Sequence, residues 1–291
     1  MLHIDAHTHA YPEKDREMVL ERVRLLDGHL ASDNPYKWQL YQEGTIEALV
    51  ETETRAGFDR WVLLPVTGRP DGCSRLNRWA ADQAKDYPQV IPFASLTPHS
   101  PTAEKDLAEA LALGLQGIKI HSLLQRIDLV DSQTLGWLGM IQAAGLPVLL
   151  DSMHLNGVRA VKPHMAFLLD EWAPYETGPE KIGFLARSFP GIQFIAAHGG
   201  CLYGWDLLDP VYDRDNVYFD LSFVLEILPP PEIEKLIQRK GSEFFLFGSD
   251  NPWRRPEESW DRFLRLDLSS GDREKIAGLN LQRILGPSPL E

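Results

Sequence analysis

The chain has 291 residues, of which 44% are hydrophobic and 24% are charged, and its formal net charge is −13. Nucleic-acid binding draws on clustered Lys and Arg, so this acidic balance predicts no nucleic-acid partner. No stretch approaches the roughly 18 apolar residues of a membrane span, and two cysteines give no disulfide framework. We therefore expect a cytoplasmic protein that acts on a small molecule without a membrane partner. Homo-oligomer formation is left open.

Short apolar runs alternate with amphipathic segments along the chain. Strands are predicted at residues 2–6, 60–66, 90–97, 117–121, 147–151, 193–198, 217–222 and 244–250. Helices are predicted at residues 45–56, 74–86, 102–112, 132–144, 180–189, 230–239, 256–265 and 272–285. The polar, aromatic-bearing stretch 11–44 is predicted as a long insertion after the first strand, and residues 287–291 as a flexible tail.

Eightfold alternation of buried strands with helices is typical of a (β/α)8 barrel. We predict an α/β fold of this kind, a TIM barrel, as one domain over residues 1–286. A doubly wound open sheet is the structural alternative. In the barrel, catalytic groups sit at the C-terminal ends of the strands, so polar residues at those ends are candidates for function.

The first strand is followed by a His-Thr-His sequence. His7 and His9 are two residues apart, and residues at that spacing on a strand share a face. Two neutral imidazoles on a rigid element suit zinc and other first-row divalent ions. Four further predicted strands also end in polar groups, which is costly in an apolar core unless those groups are paired or bound. The residues at these strand ends are His7 and His9, Lys119 and His121, Asp151, His198, and Asp250.

With these segments in this order, the chain resembles the amidohydrolase superfamily, in the branch often called amidohydrolase 2. That branch includes aromatic-acid decarboxylases and related hydrolases. The segments that carry the resemblance are residues 4–9 (IDAHTH), 117–121 (GIKIH), 197–200 (AHGG), 217–222 (VYFDLS), 247–252 (FGSDNP) and 275–280 (KIAGLN). The resemblance covers nearly the whole chain and implies the metallo-dependent hydrolase type of barrel.

The resemblance implies that His7 and His9 bind a divalent metal ion, with zinc as the expected ion and manganese as an alternative. It makes Asp250 both a ligand and a proton acceptor, because a carboxylate there can take a proton from metal-bound water. His198 resembles the sixth-strand histidine, which polarises the substrate or helps to activate water in one-metal members and is a ligand in two-metal members. Both roles stay open.

The fifth strand departs from the pattern of relatives, which commonly carry a histidine where this chain has Asp151. Either Asp151 replaces that imidazole, or His154 reaches back to the site as the ligand. If the strand stays regular, the two side chains face opposite sides, so only one can point inwards. We favour His154, because the loop after residue 152 need not stay regular, with Asp151 as a ligand or in a supporting role.

Lys119 has two interpretations. Some two-metal members of the superfamily bridge their ions with a carboxylated lysine on the fourth strand. In this chain Lys119 shares a face with His121 but lies one layer deeper, so a buried lysine paired with an acid is the plainer interpretation. For the substrate, we expect contacts from His121 at the strand tip and from Trp253 and Arg255 in the last loop.

The sequence thus predicts a metal-dependent hydrolase in which metal-activated water attacks a carbonyl, amide or lactone centre of a small carboxylate-bearing molecule. One alternative is a nonoxidative decarboxylase of an aromatic or muconate-type acid. Another is a phosphoester hydrolase of PHP or TatD type, since those proteins also begin with His-x-His. A metal-free lactonase and a barrel without catalytic activity complete the set.

Overall fold

The computed structural model of the chain describes residues 2–32, 34 and 36–286, so the tail predicted at 287–291 lies outside the described residues. Eight parallel strands form the barrel within this part of the chain. In order they are β1 (Ile4–Thr8), β2 (Arg60–Leu63), β3 (Val90–Pro92, continued by Ala94–Ser95), β4 (Ile118–Ile120), β5 (Val148–Leu150), β6 (Phe194–Ala196), β7 (Val217–Asp220) and β8 (Phe245–Leu246).

The helices are numbered in chain order. The first eight are α1 (Glu13–Asp27), α2 (Ile46–Ala56), α3 (Cys73–Asp86), α4 (Ala103–Ala112), α5 (Ser122–Gln125), α6 (Ser132–Ala144), α7 (Leu155–Val161) and α8 (Ala166–Trp172). The remaining ones are α9 (Pro179–Ser188), α10 (Asp209–Tyr212), α11 (Val224–Ile227), α12 (Pro230–Lys240), α13 (Pro256–Leu264), α14 (Ser270–Glu274) and α15 (Asn280–Leu285). No helix in the described ranges has both the length and the apolar character needed to cross a bilayer.

The strands pair in sequence order and close into a barrel. β1, β2 and β3 pair in parallel, and the second part of β3 pairs onward through β4 to β8. The seam between the first and last strands is closed by backbone hydrogen bonds, in which Ala6 N–H donates to Phe247 O at 2.9 Å and Asp250 N–H donates to His7 O at 2.8 Å. The predicted TIM barrel is therefore confirmed, and the open doubly wound sheet is not the fold.

Alternation along the strands explains why they are apolar throughout. In β2, Trp61 and Leu63 belong to one apolar cluster, which includes helix residues such as Ile141, whereas Val62 belongs to another. The first cluster packs the sheet against the helices and the second fills the barrel, so both faces of each strand are buried. Lys119 on β4 lies between Ile118 and Ile120, which belong to the first cluster, and therefore points into the barrel.

Two excursions at the C-terminal end of the barrel form walls above it. The stretch predicted as an insertion at residues 11–44 contains α1, which the sequence pattern did not indicate. The loop that follows β5 contains α7 and α8. The predicted helix at 272–285 is present as α14, a π-helical segment at Lys275–Leu279, and α15.

Candidate metal centre and cavity

The first and last strands bring three of the predicted ligands together. His9 Nε2 lies 3.2 Å from Asp250 Oδ1, and His7 Nε2 lies 3.7 Å from the same oxygen. All three side chains are buried, and their ligand atoms lie within 4.8 Å of one another. β1 extends to residue 8, further than predicted, so His7 lies within the strand and His9 directly follows it.

Each of these imidazoles has its other nitrogen fixed by the protein. His7 Nδ1 lies 2.9 Å from Asp220 Oδ2, and His9 Nδ1 lies 2.8 Å from Leu64 O. These contacts fix the Nδ1–H tautomer and leave both Nε2 atoms as acceptors aimed at Asp250, which is the usual arrangement of histidine ligands.

The chemistry of His7, His9 and Asp250 shows whether a cation fits between them. Asp250 Oδ1 is buried and has no hydrogen-bond partner among the described residues, which is costly for a carboxylate oxygen unless a cation or a water molecule meets it. Burial would raise the pKa of Asp250, but His7 and His9 beside it hold that pKa far below its usual range. An ionised oxygen between two imidazole nitrogens matches the ligands of a divalent transition-metal ion.

Two residues of the site, Asp250 and His198, have an unusual backbone conformation. Asp250 has φ = 65° and His198 has φ = 60°, both in the left-handed region that non-glycine residues rarely adopt. Asp250 is held there by its N–H bond to His7 O, and the His198 N–H donates to Asp220 Oδ1 at 3.0 Å. Such conformations cluster at functional sites because the surrounding structure must overdetermine them.

Asp220 holds the imidazoles of His7 and His198 in place from behind, a role that the sequence pattern did not indicate. Its second oxygen accepts from the backbone N–H groups of His198 and Ser222, and the Ser222 hydroxyl donates to it. Ser222 Oγ also lies 2.8 Å from His198 Nδ1. Burial would raise the pKa of Asp220, but His7 and His198 with Ser222 hold it below its usual value. The motif at 217–222 contained this residue, but its spacing alone gave no sign of the contact to β1.

Lys119 and Asp151 form a buried ion pair at the centre of the site. Lys119 is 0% exposed, and its ammonium lies 3.0 Å from Asp151 Oδ2 and 3.3 Å from His7 Nε2. The carboxylate of Asp151 also lies 3.8 Å from the Nε2 atoms of His121 and His198. Burial would raise the pKa of Asp151, but His121 and Lys119 hold it well below the usual value. Asp151 therefore links the His7 side of the site to the His198 side.

His154 lies apart from this group, and our preference for it as the fifth-strand ligand stays a prediction. β5 ends at residue 150, and His154 lies at the N-terminus of α7, where its Nδ1 lies 3.0 Å from Glu176 Oε1. The same carboxylate oxygen accepts from the Leu155 N–H at 3.0 Å, so Glu176 holds both the imidazole and the start of the helix. Asp151 is the fifth-strand side chain that faces the centre.

The polar groups form the floor of a cavity of about 190 Å³. The floor consists of His9, His121, Asp151, His198 and Asp250. The walls are aromatic or apolar apart from one arginine, and they comprise Tyr11, Val19, Arg22, Val23, Leu26, Trp38, Val66, Leu124, Met153, Trp172, Leu202, Phe223 and Trp253.

Of the three residues predicted to contact substrate, His121 and Trp253 line the cavity and Arg255 does not. The Arg255 side chain is 54% exposed, and its guanidinium lies 3.6 Å from Glu258. It lies outside because α13 begins directly after it and orients it toward that helix. The arginine that reaches the cavity is Arg22 of α1, and no motif in the sequence marked it.

Burial determines the charge of His121, one of the histidines of the cavity floor. It lowers the pKa of His121 to about 4, against the opposing pull of Asp151, so this imidazole is neutral near pH 7. Burial would also lower the pKa of His198, but Asp151 and the other nearby carboxylates raise it above its ordinary value. The two imidazoles beside Asp151 therefore differ in their readiness to carry a proton.

Comparison with known proteins adds three kinds of finding. A family model described as amidohydrolase matches residues 4–286, and none of the curated proteins matches the chain. Among solved structures, the chain is similar to 5-carboxyvanillate decarboxylase from Novosphingobium aromaticivorans bound to manganese and 4-hydroxy-3-methoxy-5-nitrobenzoic acid. That match has a TM-score of 0.74 and 15% identity and covers 98% of this chain and 96% of the other.

Two further structures are similar over the same extent. Dihydroxybenzoic acid decarboxylase from Polaromonas sp. JS666, with manganese and the inhibitor 2-nitroresorcinol, has a TM-score of 0.68 and 18% identity, with 98% and 96% of the two chains covered. 2,6-Dihydroxybenzoate decarboxylase from Rhizobium has a TM-score of 0.66 and 18% identity, with 98% of each chain covered. At these identities the likeness shows the fold.

Proposed function

Because the chain belongs to the amidohydrolase family, whose model covers residues 4–286, we propose that it is a metal-dependent decarboxylase of a small aromatic acid. One observation carries the proposal: an aromatic, apolar cavity encloses a floor of His and Asp side chains. The similar structures described above are decarboxylases of aromatic acids. Together these points support the decarboxylase alternative better than the hydrolase that the sequence predicted.

His7, His9 and Asp250 would hold the metal ion, and Asp151 lies beside them as a further oxygen donor. When bound, the ion supplies a positive charge that fixes oxygen atoms of the substrate at the floor of the cavity. Two nitrogen and two oxygen donors accept zinc or manganese. Zinc remains the ion predicted from the sequence, and manganese is present in two of the similar structures, so both belong in the test.

The walls favour the loss of a carboxylate as carbon dioxide. A carboxylate is costly in apolar surroundings unless it is paired, whereas carbon dioxide is neutral. Trp38, Trp172, Phe223 and Trp253 provide flat surfaces for an aromatic ring above the floor. Hydrolysis would instead require an ordered water molecule beside the reacting carbon, for which these walls offer few polar contacts.

We assign delivery of the proton to His198. Breaking the bond between ring and carboxylate releases carbon dioxide, and the electron pair left at the ring carbon must take up a proton. The His198 ring lines the cavity, its Nδ1 is engaged by Ser222, and its Nε2 faces Asp151. One proton from solvent restores His198 in each turnover, so the product carries hydrogen where the carboxylate was.

Hydrolysis of a carbonyl or lactone centre is the second candidate. Asp250 Oδ1 favours it, because a buried acceptor without a hydrogen-bond partner among the described residues can take a proton from a water molecule. The same residues would then hold the ion, and the reactions differ in whether a carbon–carbon bond breaks.

Product analysis in D₂O separates the two reactions. We expect protein loaded with manganese or zinc to release carbon dioxide from 2-hydroxybenzoates and to leave one deuterium at the vacated ring carbon. His198→Gln should retain the metal but lose at least about 100-fold in rate, whereas the control His99→Gln, outside the cavity lining, should match the wild type. Turnover of esters or lactones without carbon dioxide release from any aromatic acid would contradict the decarboxylase proposal.

A further inference from the structure

The cavity wall carries a tyrosine hydroxyl for which the described residues offer no acceptor. Tyr11 lines the cavity and is only 9% exposed. Its hydroxyl oxygen accepts a hydrogen bond from Trp253 Nε1 at 3.1 Å, but the hydroxyl donates to no described residue. A buried O–H group without an acceptor is costly, so we expect a group inside the cavity to meet it.

Contacts from several directions hold Tyr11 in this position. Its N–H donates to Gly44 O at 2.9 Å, at the end of the insertion. Its ring is parallel to the His9 imidazole within 2°, and the two centroids are 6.3 Å apart. Trp253, which donates to the hydroxyl, is itself held by its N–H bond to Asp250 O at 2.6 Å. The hydroxyl is therefore fixed beside two of the candidate metal ligands.

The Tyr11 hydroxyl keeps its proton near pH 7. Burial raises the pKa of Tyr11, and the nearby carboxylate of Asp250 raises it further, which outweighs the opposing effect of Trp253. Tyr11 is therefore a neutral donor in largely apolar surroundings. Such a donor binds an oxygen atom, and it binds an oxygen with negative charge most strongly.

A series of ring contacts has Tyr11 at one end and His198 at the other. Tyr11 lies parallel to His9, His9 meets His7 edge-on with centroids 5.1 Å apart, and His7 stacks on His198 at 5.2 Å. The two candidate metal-ligand imidazoles thus occupy the middle of the series. A substrate bound above them has the proton donor His198 toward one end and the Tyr11 hydroxyl toward the other.

This arrangement limits which substrate oxygen can reach Tyr11. Under the proposed function, His198 delivers a proton to the ring carbon that loses the carboxylate, so this carbon lies toward His198. A cavity of about 190 Å³ accommodates one substituted ring. The ring oxygen closest to that carbon is the one on the adjacent carbon, in the ortho position. When ionised, this oxygen is an anionic acceptor that supplies electron density to the carbon being protonated.

We propose that Tyr11 donates a hydrogen bond to the substrate oxygen that is ortho to the departing carboxylate. This rests on the proposed function for the position of that carboxylate. Tyr11 is then a specificity-determining residue, by which the protein distinguishes aromatic acids with an ortho oxygen from acids without one. Trp253 fixes the direction of the donor.

A probe that cannot lose carbon dioxide tests this contact without turnover. 2-Nitrophenol has an ortho oxygen and a nitro group in place of the carboxylate, whereas benzoate has a carboxylate and no ring oxygen. Manganese-loaded protein is titrated with each ligand by calorimetry. We expect Tyr11→Phe to weaken binding of 2-nitrophenol by about 10- to 100-fold, the value of a hydrogen bond to a charged group. Its affinity for benzoate should stay within about threefold of the wild type.

The absorbance of the bound probe gives a readout that a structural role of Tyr11 would not move. Ionised 2-nitrophenol absorbs visible light more strongly than the neutral form does. A hydrogen bond from Tyr11 stabilises the ionised oxygen, so Tyr11→Phe should raise the apparent pKa of the bound probe by about one unit or more. Tyr41→Phe is the matched control, because it removes a hydroxyl from the same insertion outside the cavity lining. It should change neither the affinities nor this pKa.

The proposal is wrong if Tyr11→Phe weakens both ligands equally, weakens neither, or leaves the pKa of the bound probe unchanged. It is also wrong if Tyr41→Phe has the same effect or if the wild type binds neither ligand.

These outcomes are distinguishable from failure of the proposed function. An effect of Tyr11→Phe on 2-nitrophenol, together with no release of carbon dioxide from 2-hydroxybenzoates, would retain the contact and reject decarboxylation. Release of carbon dioxide, with no effect of Tyr11→Phe on the probe, would reject the contact and retain the reaction.

Discussion

At the scale of single residues, the candidate metal centre is organised by a side chain that is not among the lining residues of the cavity. Asp220 lies 2.9 Å from His7 Nδ1 and also binds the backbone of His198. It thus sets the tautomer of one candidate ligand and the position of the histidine that faces it. Its contacts join β7 to β1 across the barrel interior, which only a closed barrel permits.

We expect Asp220→Asn to weaken divalent-metal binding by about 10- to 100-fold, because the neutral amide no longer raises the basicity of His7. Competition with a chromogenic chelator measures this affinity for zinc and for manganese. Asp209→Asn, at an exposed carboxylate paired with Arg239, is the control and should leave the affinity unchanged. Equal affinities in wild type and Asp220→Asn would contradict the role assigned to Asp220.

The ion pair of Lys119 and Asp151 leads to the prediction that a second substitution restores metal affinity lost by the first. Asp151→Asn leaves a buried ammonium uncompensated at 3.3 Å from His7 Nε2, where it opposes a dication. We expect Lys119→Met in that background to restore metal affinity by about 10-fold, since removing the ammonium removes the repulsion. Calorimetric titration with manganese compares the two variants. If the double variant binds no more tightly than Asp151→Asn, the repulsion is not the cause.

At the scale of elements, the periodicity of apolar residues predicts the barrel strands and most helices. It does not predict α1, a helix of the cavity wall. α1 was missed because it faces a cavity: its apolar residues Leu20 and Leu25 are exposed, and Asp27 is its one buried residue. An amphipathic stripe is visible in a sequence when one face is buried in apolar surroundings. A helix with one face toward an open cavity lacks that contrast.

A buried polar cluster anchors α1 to the excursion after β5. Asp27 pairs with Lys162, and both are fully buried; Asp27 Oδ1 also lies 3.0 Å from His164 Nε2. Trp38 N–H donates to Asp27 at 2.7 Å, and the Lys162 ammonium lies 3.9 Å above the Trp38 ring. The end of the helix that carries Arg22 is therefore fixed by charge as well as by packing.

We expect Asp27→Asn to lower the free energy of unfolding by about 3–5 kcal/mol, because it leaves the Lys162 ammonium buried and unpaired. It should also speed tryptic cleavage within residues 13–44 and weaken binding of aromatic acids. Urea denaturation and timed proteolysis measure the two effects. Arg159→Met, which breaks the exposed pair with Asp170, is the control and should cost no more than about 1 kcal/mol. Equal stability of both variants would rule out an anchoring role.

At the scale of the whole molecule, the candidate metal ligands span the seam at which the barrel closes. His7 belongs to β1, His9 directly follows it, and Asp250 follows β8, so the ion would join the first and last strands. Backbone hydrogen bonds already cross this seam at Ala6 and Asp250. A ligand that binds only the folded state stabilises it by mass action.

Metal should therefore raise the melting temperature. At a concentration of about 100 times Kd, a bound ion adds about 2.7 kcal/mol, which corresponds to a shift on the order of 5 °C for a chain of this size. Thermal unfolding with manganese, with zinc and with EDTA measures the shift. His7→Ala should abolish it, and an unchanged shift in that variant would place the ion elsewhere.

The sequence by itself determined the eight-stranded barrel, because alternating buried strands and helices are local patterns that satisfy backbone hydrogen bonds in one way. It also predicted that His7, His9, His198 and Asp250 lie together, since the carboxyl ends of parallel strands meet at one edge. Tertiary structure placed Asp151, and not His154, beside the other polar groups of the site, and it placed Arg22 at the lining of the cavity. Those choices depend on where the chain turns after a strand and on how a wall packs above it, and residue spacing does not encode either of these.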